Sequence, residues 1–267
     1  MSGAPVLFVG AGPGDPELIT LRGARALAEA DVVVWAGSLV HPALLGHCRE
    51  GIEIHDSAAL DLPRIVEIMV EGYRAGRSVV RLHTGDPSLY GAIAEQIDEL
   101  DAVGVPHAVV PGVSSFAASA AVLQAELTRP GLSQTVILTR RAGRTPVPAG
   151  QDLSSLASHA ATMCIFLSVG GIGEVVDDLL VHYPQSTAAA VVANATWPEQ
   201  RIVRGTLSDI AQKVTEAGIE KTAMIVVGDV LAEAGERSKL YDPGFSHGYR
   251  RASGASAHLD DTRGADD

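Results

Sequence analysis

The chain has 267 residues, 46% hydrophobic and 19% charged, with 28 Gly and 14 Pro. This excludes a disordered or fibrous polypeptide, and the length suffices for one large or two ordinary domains that bury cores without disulfides or structural metals. Lys plus Arg number 20 against 32 Asp plus Glu, a net charge of −12. Bulk attraction to nucleic acid or an anionic membrane is therefore not expected, and any anionic ligand must meet a local basic patch.

Short β-branched runs alternate with amphipathic windows in the first half, the pattern of parallel strands joined by crossover helices. Strands are predicted at Val6 to Val9, Val32 to Trp35, Ile52 to Ile54, Val79 to Leu82 and Ala108 to Val110. Leu62, Ile65, Val66, Met69 and Tyr73 follow Asp61 and Pro63 at helical spacing and stop at Gly76; Ile93, Ile97 and Leu100 form a second stripe that stops at Gly104. A small-residue helix is expected at Phe116 to Val122. Further strands are predicted at Thr135 to Leu138, Cys164 to Leu167, Ala188 to Ala193 and Met224 to Val227, with a capped helix from Ser208 to Ala217. The expectation is two α/β domains, residues 1–115 and 116–232. From about Glu233 the chain turns to Gly, Ser, Asp and Arg, and residues 233–267 read as a disordered tail.

No cationic segment followed by an apolar run opens the chain, and no apolar stretch approaches the roughly 18 residues of a membrane span, so neither a signal peptide nor a span is expected. Cys48 and Cys164 lie far apart without metal-ligand spacing. No metal site is expected, and a reducing cytoplasm fits.

Gly10-Ala-Gly-Pro-Gly-Asp-Pro16 follows the first strand directly. It lacks the third glycine of the dinucleotide fingerprint, and the second strand ends Trp35-Ala-Gly-Ser38 with no acid to hold a ribose. A phosphate loop needs Gly-Lys-Ser/Thr, and no lysine precedes Lys213. A tight structural turn remains the alternative to a ligand loop. A second turn, His83-Thr-Gly-Asp-Pro-Ser-Leu-Tyr-Gly91, follows the fourth strand; Asp86 is either a helix cap or a ligand contact, and His83 reads as a packing residue. A third, Val110-Pro-Gly-Val-Ser-Ser115, leads into the small-residue helix, which Ser114 or Ser115 could cap while its amides favour an anion. Together the three turns read as walls of one crevice at the carboxyl ends of strands one, four and five.

These three motifs together resemble those of the tetrapyrrole methylases, over about residues 5 to 231. Ala36-Gly-Ser-Leu-Val40 and the stretch from Ser133 to Pro146 resemble the branch that methylates C11 of precorrin-4 or cobalt-precorrin-4 in cobalamin synthesis. The resemblance implies a homodimer whose two α/β domains hold S-adenosyl-L-methionine in the cleft between them, leaving S-adenosyl-L-homocysteine as product. It implies Pro13 at the substrate end of the cleft and Thr84, Gly85, Asp86 and Leu89 around the cofactor. It also implies Ser114 and Ser115 near the methionine moiety or adenosine, and Leu167, Ala195, Ala223 and Met224 lining the adenine pocket.

Methyl transfer from a sulfonium to a nucleophilic ring carbon depends mainly on positioning, worth on the order of 7–11 kcal/mol. A site of glycines, serines and backbone is consistent with that, and Asp86 is the residue expected to be most sensitive. The polycarboxylate macrocycle needs cations. No acid lies between Glu126 and Asp152, where Arg129, Arg140, Arg141 and Arg144 all fall. They are expected to bind substrate carboxylates, with a solvated basic loop or a salt-bridge set as the alternative. Competing functions are methylation at another ring carbon, as in uroporphyrinogen-III or precorrin-2/3 methyltransferases, and a non-enzymatic dinucleotide-binding sensor module.

Overall fold

The structure, a computed structural model, describes residues 4–232 and 238–253. Two five-stranded sheets divide the chain. The first contains β1 (Val6–Gly10), β2 (Val32–Trp35), β3 (Glu53–Asp56), β4 (Val79–His83) and β5 (His107–Val110) in the order β3-β2-β4-β1-β5. Every pairing is parallel, with Gly10 opposite His83 and Val9 opposite Val110. The carboxyl ends of β4, β1 and β5 therefore lie side by side on one edge.

Helices α1 (Leu21–Glu29), α2 (Leu62–Arg74) and α3 (Ile93–Ala102) cover this sheet on both faces. The stripe Ile65, Met69 and Leu100 packs with Phe8 and Val34 on one face; Leu27 and Leu44 pack with Val9 and Leu82 on the other. Asp61 caps α2 by accepting from Arg64 N at 3.1 Å, and Pro63 occupies the first turn, where its missing N–H costs no helical bond.

The second sheet contains β6 (Val136–Arg140), β7 (Thr162–Phe166), β8 (Ala188–Ala193), β9 (Arg201–Thr206) and β10 (Ala223–Val227) in the order β6-β7-β10-β8-β9. Only β6 and β7 run parallel; the other pairings are antiparallel. Helices α5 (Leu153–Ala157), α6 (Ile172–Leu180) and α7 (Ile210–Glu216) bury one face of it. Helix α4 (Ser115–Leu123) covers the opposite face, where Ala118 and Leu123 pack with Cys164, Phe166 and Met224.

Several sequence expectations are corrected here. Strand β9 was not anticipated, because it is an edge strand whose Arg201 and Arg204 face solvent and whose apolar content is low. The helix expected from Ser208 is shorter, since Asp209 turns back to accept from Thr206 N at 2.8 Å. Within the segment expected to be disordered, residues 238–253 form a 3₁₀ turn at Lys239–Tyr241 and a bridge between His247 and Arg250. The Arg250 guanidinium donates there to the carbonyls of Leu240, Asp242 and Phe245. Residues 233–237 and 254–267 of that segment lie outside the described residues.

Candidate functional site

The three glycine turns meet. Gly12 and Gly85 exchange backbone hydrogen bonds at 3.2 and 2.8 Å, and Ala11 N donates to His83 O at 2.7 Å. Both glycines have positive φ, +79° and +60°. Packing is close enough that a Cβ on Gly10 would lie 2.6 Å from Gly112 Cα, and one on Gly112 would lie 2.1 Å from Gly85 O. No side chain fits between these backbones, which is the physical reason for glycine at all three turns.

Asp86 bridges two of the loops. It does not cap a helix. Its Oδ1 accepts from Ser88 N at 2.8 Å and from Ser88 Oγ, and its Oδ2 accepts from Gly112 N at 2.9 Å. Burial pushes its pKa up, but those hydrogen bonds outweigh burial and hold the carboxyl below its ordinary value. Asp86 is thus an anionic brace between the β4 and β5 loops. His83 is buried and stacks with Phe8 at 6.1 Å between ring centroids.

The second sheet closes over the crevice. Trp197 Nε1 donates to Pro13 O at 2.9 Å, and Asp15 N donates to Thr196 Oγ1 at 3.0 Å. His41 meets the Trp197 ring edge-on at 4.8 Å. Between the two halves lies a cavity of about 480 Å³, within the range of small-molecule sites.

Pro13, Thr84, Leu89, Ser114 and Ser115 line it from the first sheet's loops, and Leu167, Ala195, Ala223 and Met224 line it from the second. Gly85 and Asp86, also expected around the cofactor, are not among the lining residues; they tie the β4 loop to Gly12 and Gly112. Leu167 is 72% exposed and holds φ +53°, a left-handed leucine with its side chain presented rather than packed.

The α4 N-terminus supplies the polar part. Ser114 begins the helix without a side-chain capping bond. Ser119, one turn beyond Ser115, is wholly buried on the cavity wall and its Oγ has no hydrogen-bond partner. An orphaned buried hydroxyl facing a cavity, beside free amides of a helix start, fits a ligand with polar acceptor groups.

Sequence reasoning overlooked Ser119, Tyr90, Ser38 and Leu39 on this wall. Ser119 was findable as Ser115 plus four. Tyr90 lay inside the second motif, and Ser38 and Leu39 inside the Ala36 to Val40 segment.

The four arginines do not converge. Arg129 sits in a separate depression with Glu126, Arg204 and Ala232, donating to Ala232 O at 3.4 Å. Arg141 pairs with Asp178 at 2.9 Å. Arg140 donates to the carbonyls of Arg141, Thr145 and Pro146 at 3.3, 3.1 and 2.8 Å, which folds its own loop. Arg144 is exposed. The salt-bridge alternative thus describes Arg141. An arginine-rich sequence stretch can spread over a loop in space, which spacing alone does not reveal.

Among the described residues, no helix is long and apolar enough to cross a membrane, and no cluster of three or more His, Cys, Asp or Glu could hold a metal ion.

A two-sheet α/β protein with a cofactor-sized cleft walled by glycine turns and a serine-bearing helix start is the class this geometry defines. The sequence profile of the Tetrapyrrole (Corrin/Porphyrin) Methylases matches residues 5–211, and the chain belongs to that family.

It is 53% identical over 249 residues to a cobalt-precorrin-4 C(11)-methyltransferase of Methanocaldococcus jannaschii, covering 92% of this chain and 96% of the relative. It is 49% identical over 246 residues to a precorrin-4 C(11)-methyltransferase of Pseudomonas aeruginosa, covering 92% and 98%. Among solved structures, a cobalt precorrin-4 methyltransferase superposes with a TM-score of 0.84 at 44% identity over 86% of this chain and 96% of that one. A uroporphyrin-III C-methyltransferase from Thermus thermophilus in complex with S-adenosyl homocysteine superposes at 0.71, with 30% identity, over 86% and 94%.

Proposed function

We propose that this chain is an S-adenosyl-L-methionine-dependent methyltransferase that methylates C11 of precorrin-4, giving precorrin-5, in cobalamin biosynthesis. Cobalt-precorrin-4 is the alternative substrate, favoured by the name of the archaeal relative. The observation that carries the reading is the cavity built jointly by the three glycine turns and the second sheet, in a chain aligned along 92% of its length with relatives of that activity.

The residues present fit the cofactor. When bound, S-adenosyl-L-methionine supplies an activated methyl group. Ser114, Ser115 and Ser119 with the first amides of α4 would hold its polar end, and Ala195, Ala223 and Met224 would form the flat apolar wall for its adenine. Leu167, Leu89 and Tyr90 at the mouth exclude water from the reacting centre. No general base is required of the wall, because fixed placement of both reactants carries most of the rate. Asp86 contributes by bracing Thr84 and Leu89 against the β5 loop.

Arg140 and Arg144 are the cations we assign to substrate carboxylates; Arg144 is exposed, and Arg140 stands on the same loop, whose carbonyls it also holds. Arg129 and Arg141 have other structural employment. We read the protein as a cytoplasmic homodimer of two domains, residues 1–115 and 116–232, with no nucleic-acid or membrane partner. The acidic net charge supports the last point.

The test is incubation with methyl-labelled S-adenosyl-L-methionine and either macrocycle, followed by NMR location of the new methyl. Label at C11 is expected. Label at another carbon, or no transfer to either macrocycle by folded protein, overturns the reading.

A further inference from the structure

The loop from Thr84 to Ala92 presents Thr84, Leu89 and Tyr90 to the cavity, and the far end of this loop is held in an unusual conformation. Tyr90 and Ala92 have φ of +56° and +49°, the left-handed region that residues with a Cβ rarely occupy. Such geometry persists where its surroundings over-determine it. Ala92 also starts α3 without any side-chain cap.

The Ala92 end of this turn is bonded to a chain of two buried polar side chains. Gln96, in the first turn of α3 and 4% exposed, donates from Nε2 to Ala92 O at 2.9 Å. Its Oε1 accepts from Arg81 Nε at 3.0 Å. Arg81 is 5% exposed, has no carboxylate partner among the described residues, and donates from Nη1 to Val34 O at 3.2 Å. Val34 lies near the end of β2, from which the chain runs to Ser38 and Leu39 on the same cavity.

Buried guanidinium groups are normally matched by carboxylates. Here the match is an amide, which accepts from Arg81 with one atom and donates to a turn carbonyl with the other. A carboxylate would satisfy the arginine and repel Ala92 O.

We propose that Arg81 and Gln96 form a positioning relay that holds the Tyr90–Ala92 turn in its left-handed form and so sets where Leu89 and Tyr90 stand against the cofactor cavity. The relay also determines the contact across the cleft, because the Tyr90 ring packs on Phe166 of β7 at 5.1 Å. This rests on the cofactor reading above.

Gln96→Glu separates the two halves of the relay, since it keeps the acceptor for Arg81 and loses the donor to Ala92. The melting temperature is expected to stay near the wild-type value. Amide hydrogen exchange across residues 88–92 is expected to speed up, and S-adenosyl-L-homocysteine binding to weaken about tenfold. In turnover assays KM for the cofactor rises while kcat at saturation holds.

Adding Ala92→Gly, which takes positive φ without penalty, is expected to recover most of the protection and affinity. Exchange and affinity in Gln96→Glu equal to wild type, or no recovery in the double variant, overturns the relay. If Gln96→Glu does not fold, Gln96→Met with and without Ala92→Gly makes the same comparison. Wild-type protein that binds no S-adenosyl-L-homocysteine would overturn the cofactor reading instead, and the exchange measurements would still decide the relay.

Discussion

Gly112→Ala probes the convergence of the three turns most directly. The added Cβ would sit 2.1 Å from Gly85 O and 2.8 Å from Gly10 Cα. Relief needs a shift of about an ångström, because ordinary carbon contacts lie near 3.5–4.0 Å. Both neighbours are backbone at the ends of paired strands, so neither can rotate away.

The movement would break the Gly12–Gly85 hydrogen bonds or the Asp86–Gly112 bond. Each backbone bond is worth roughly 1 kcal/mol net and the charged one about 1.5–3. Overpacking alone costs about 1–3 kcal/mol. A loss of about 2–4 kcal/mol follows, which for a chain of this size lowers the melting temperature by on the order of 10 °C.

Because the displaced loop also carries Ser114 and Ser115, affinity for S-adenosyl-L-homocysteine should fall in the same variant. Thermal melts and titration calorimetry, with Gly46→Ala as the control in open space, measure both. Wild-type stability and affinity in Gly112→Ala would refute the claim that these backbones touch.

Gly173 faces open space in α6 and is exposed, so Gly173→Ala should raise stability by about 0.5–1 kcal/mol with activity unchanged; a lower melting temperature would show an unseen constraint. Burial first, and the Arg81 charge second, push the His83 pKa from 6.5 down to about 3. The unfolded chain therefore binds the extra proton between those values. The stabilisation is intact above about pH 6.5 and is lost as pH falls toward 3, amounting to about 2 kcal/mol by pH 5. An imidazole titrating near 6.5 by NMR would remove this contribution. Asp86→Ala leaves Gly112 N without its acceptor and frees the 84–92 loop. It is expected to fold with a stability loss of about 1–3 kcal/mol and to lose most turnover; a folded variant with wild-type turnover would remove Asp86 from the site.

Legibility in the sequence followed physical cause. Val32–Trp35 and Ala188–Ala193 were placed at their observed bounds because buried strands demand unbroken β-branched or small apolar runs. Strand β9 escaped because an edge strand carries charges and needs no such run. Nine of the residues carried over from the family resemblance line the cavity, while Gly85 and Asp86 tie the β4 loop to Gly12 and Gly112. The difference between lining and bracing depends on which way a carboxylate turns, and Asp86 turns toward Gly112. The basic stretch does not stay together in space, because Arg141 pairs with Asp178, Arg129 donates to Ala232 O, and Arg140 holds the carbonyls of its own loop.

What the sequence determined alone was local: which segments extend, where they turn, and which turns must be glycine because backbone approaches backbone there. The tertiary structure decided everything that depends on partners distant in the chain. It placed Trp197 on Pro13, left Ser119 without a bond on the cavity wall, and matched a buried arginine with an amide. Those outcomes rest on where separate strands end in space, since a hydrogen bond is satisfied or orphaned only by what stands within about 3 Å of it.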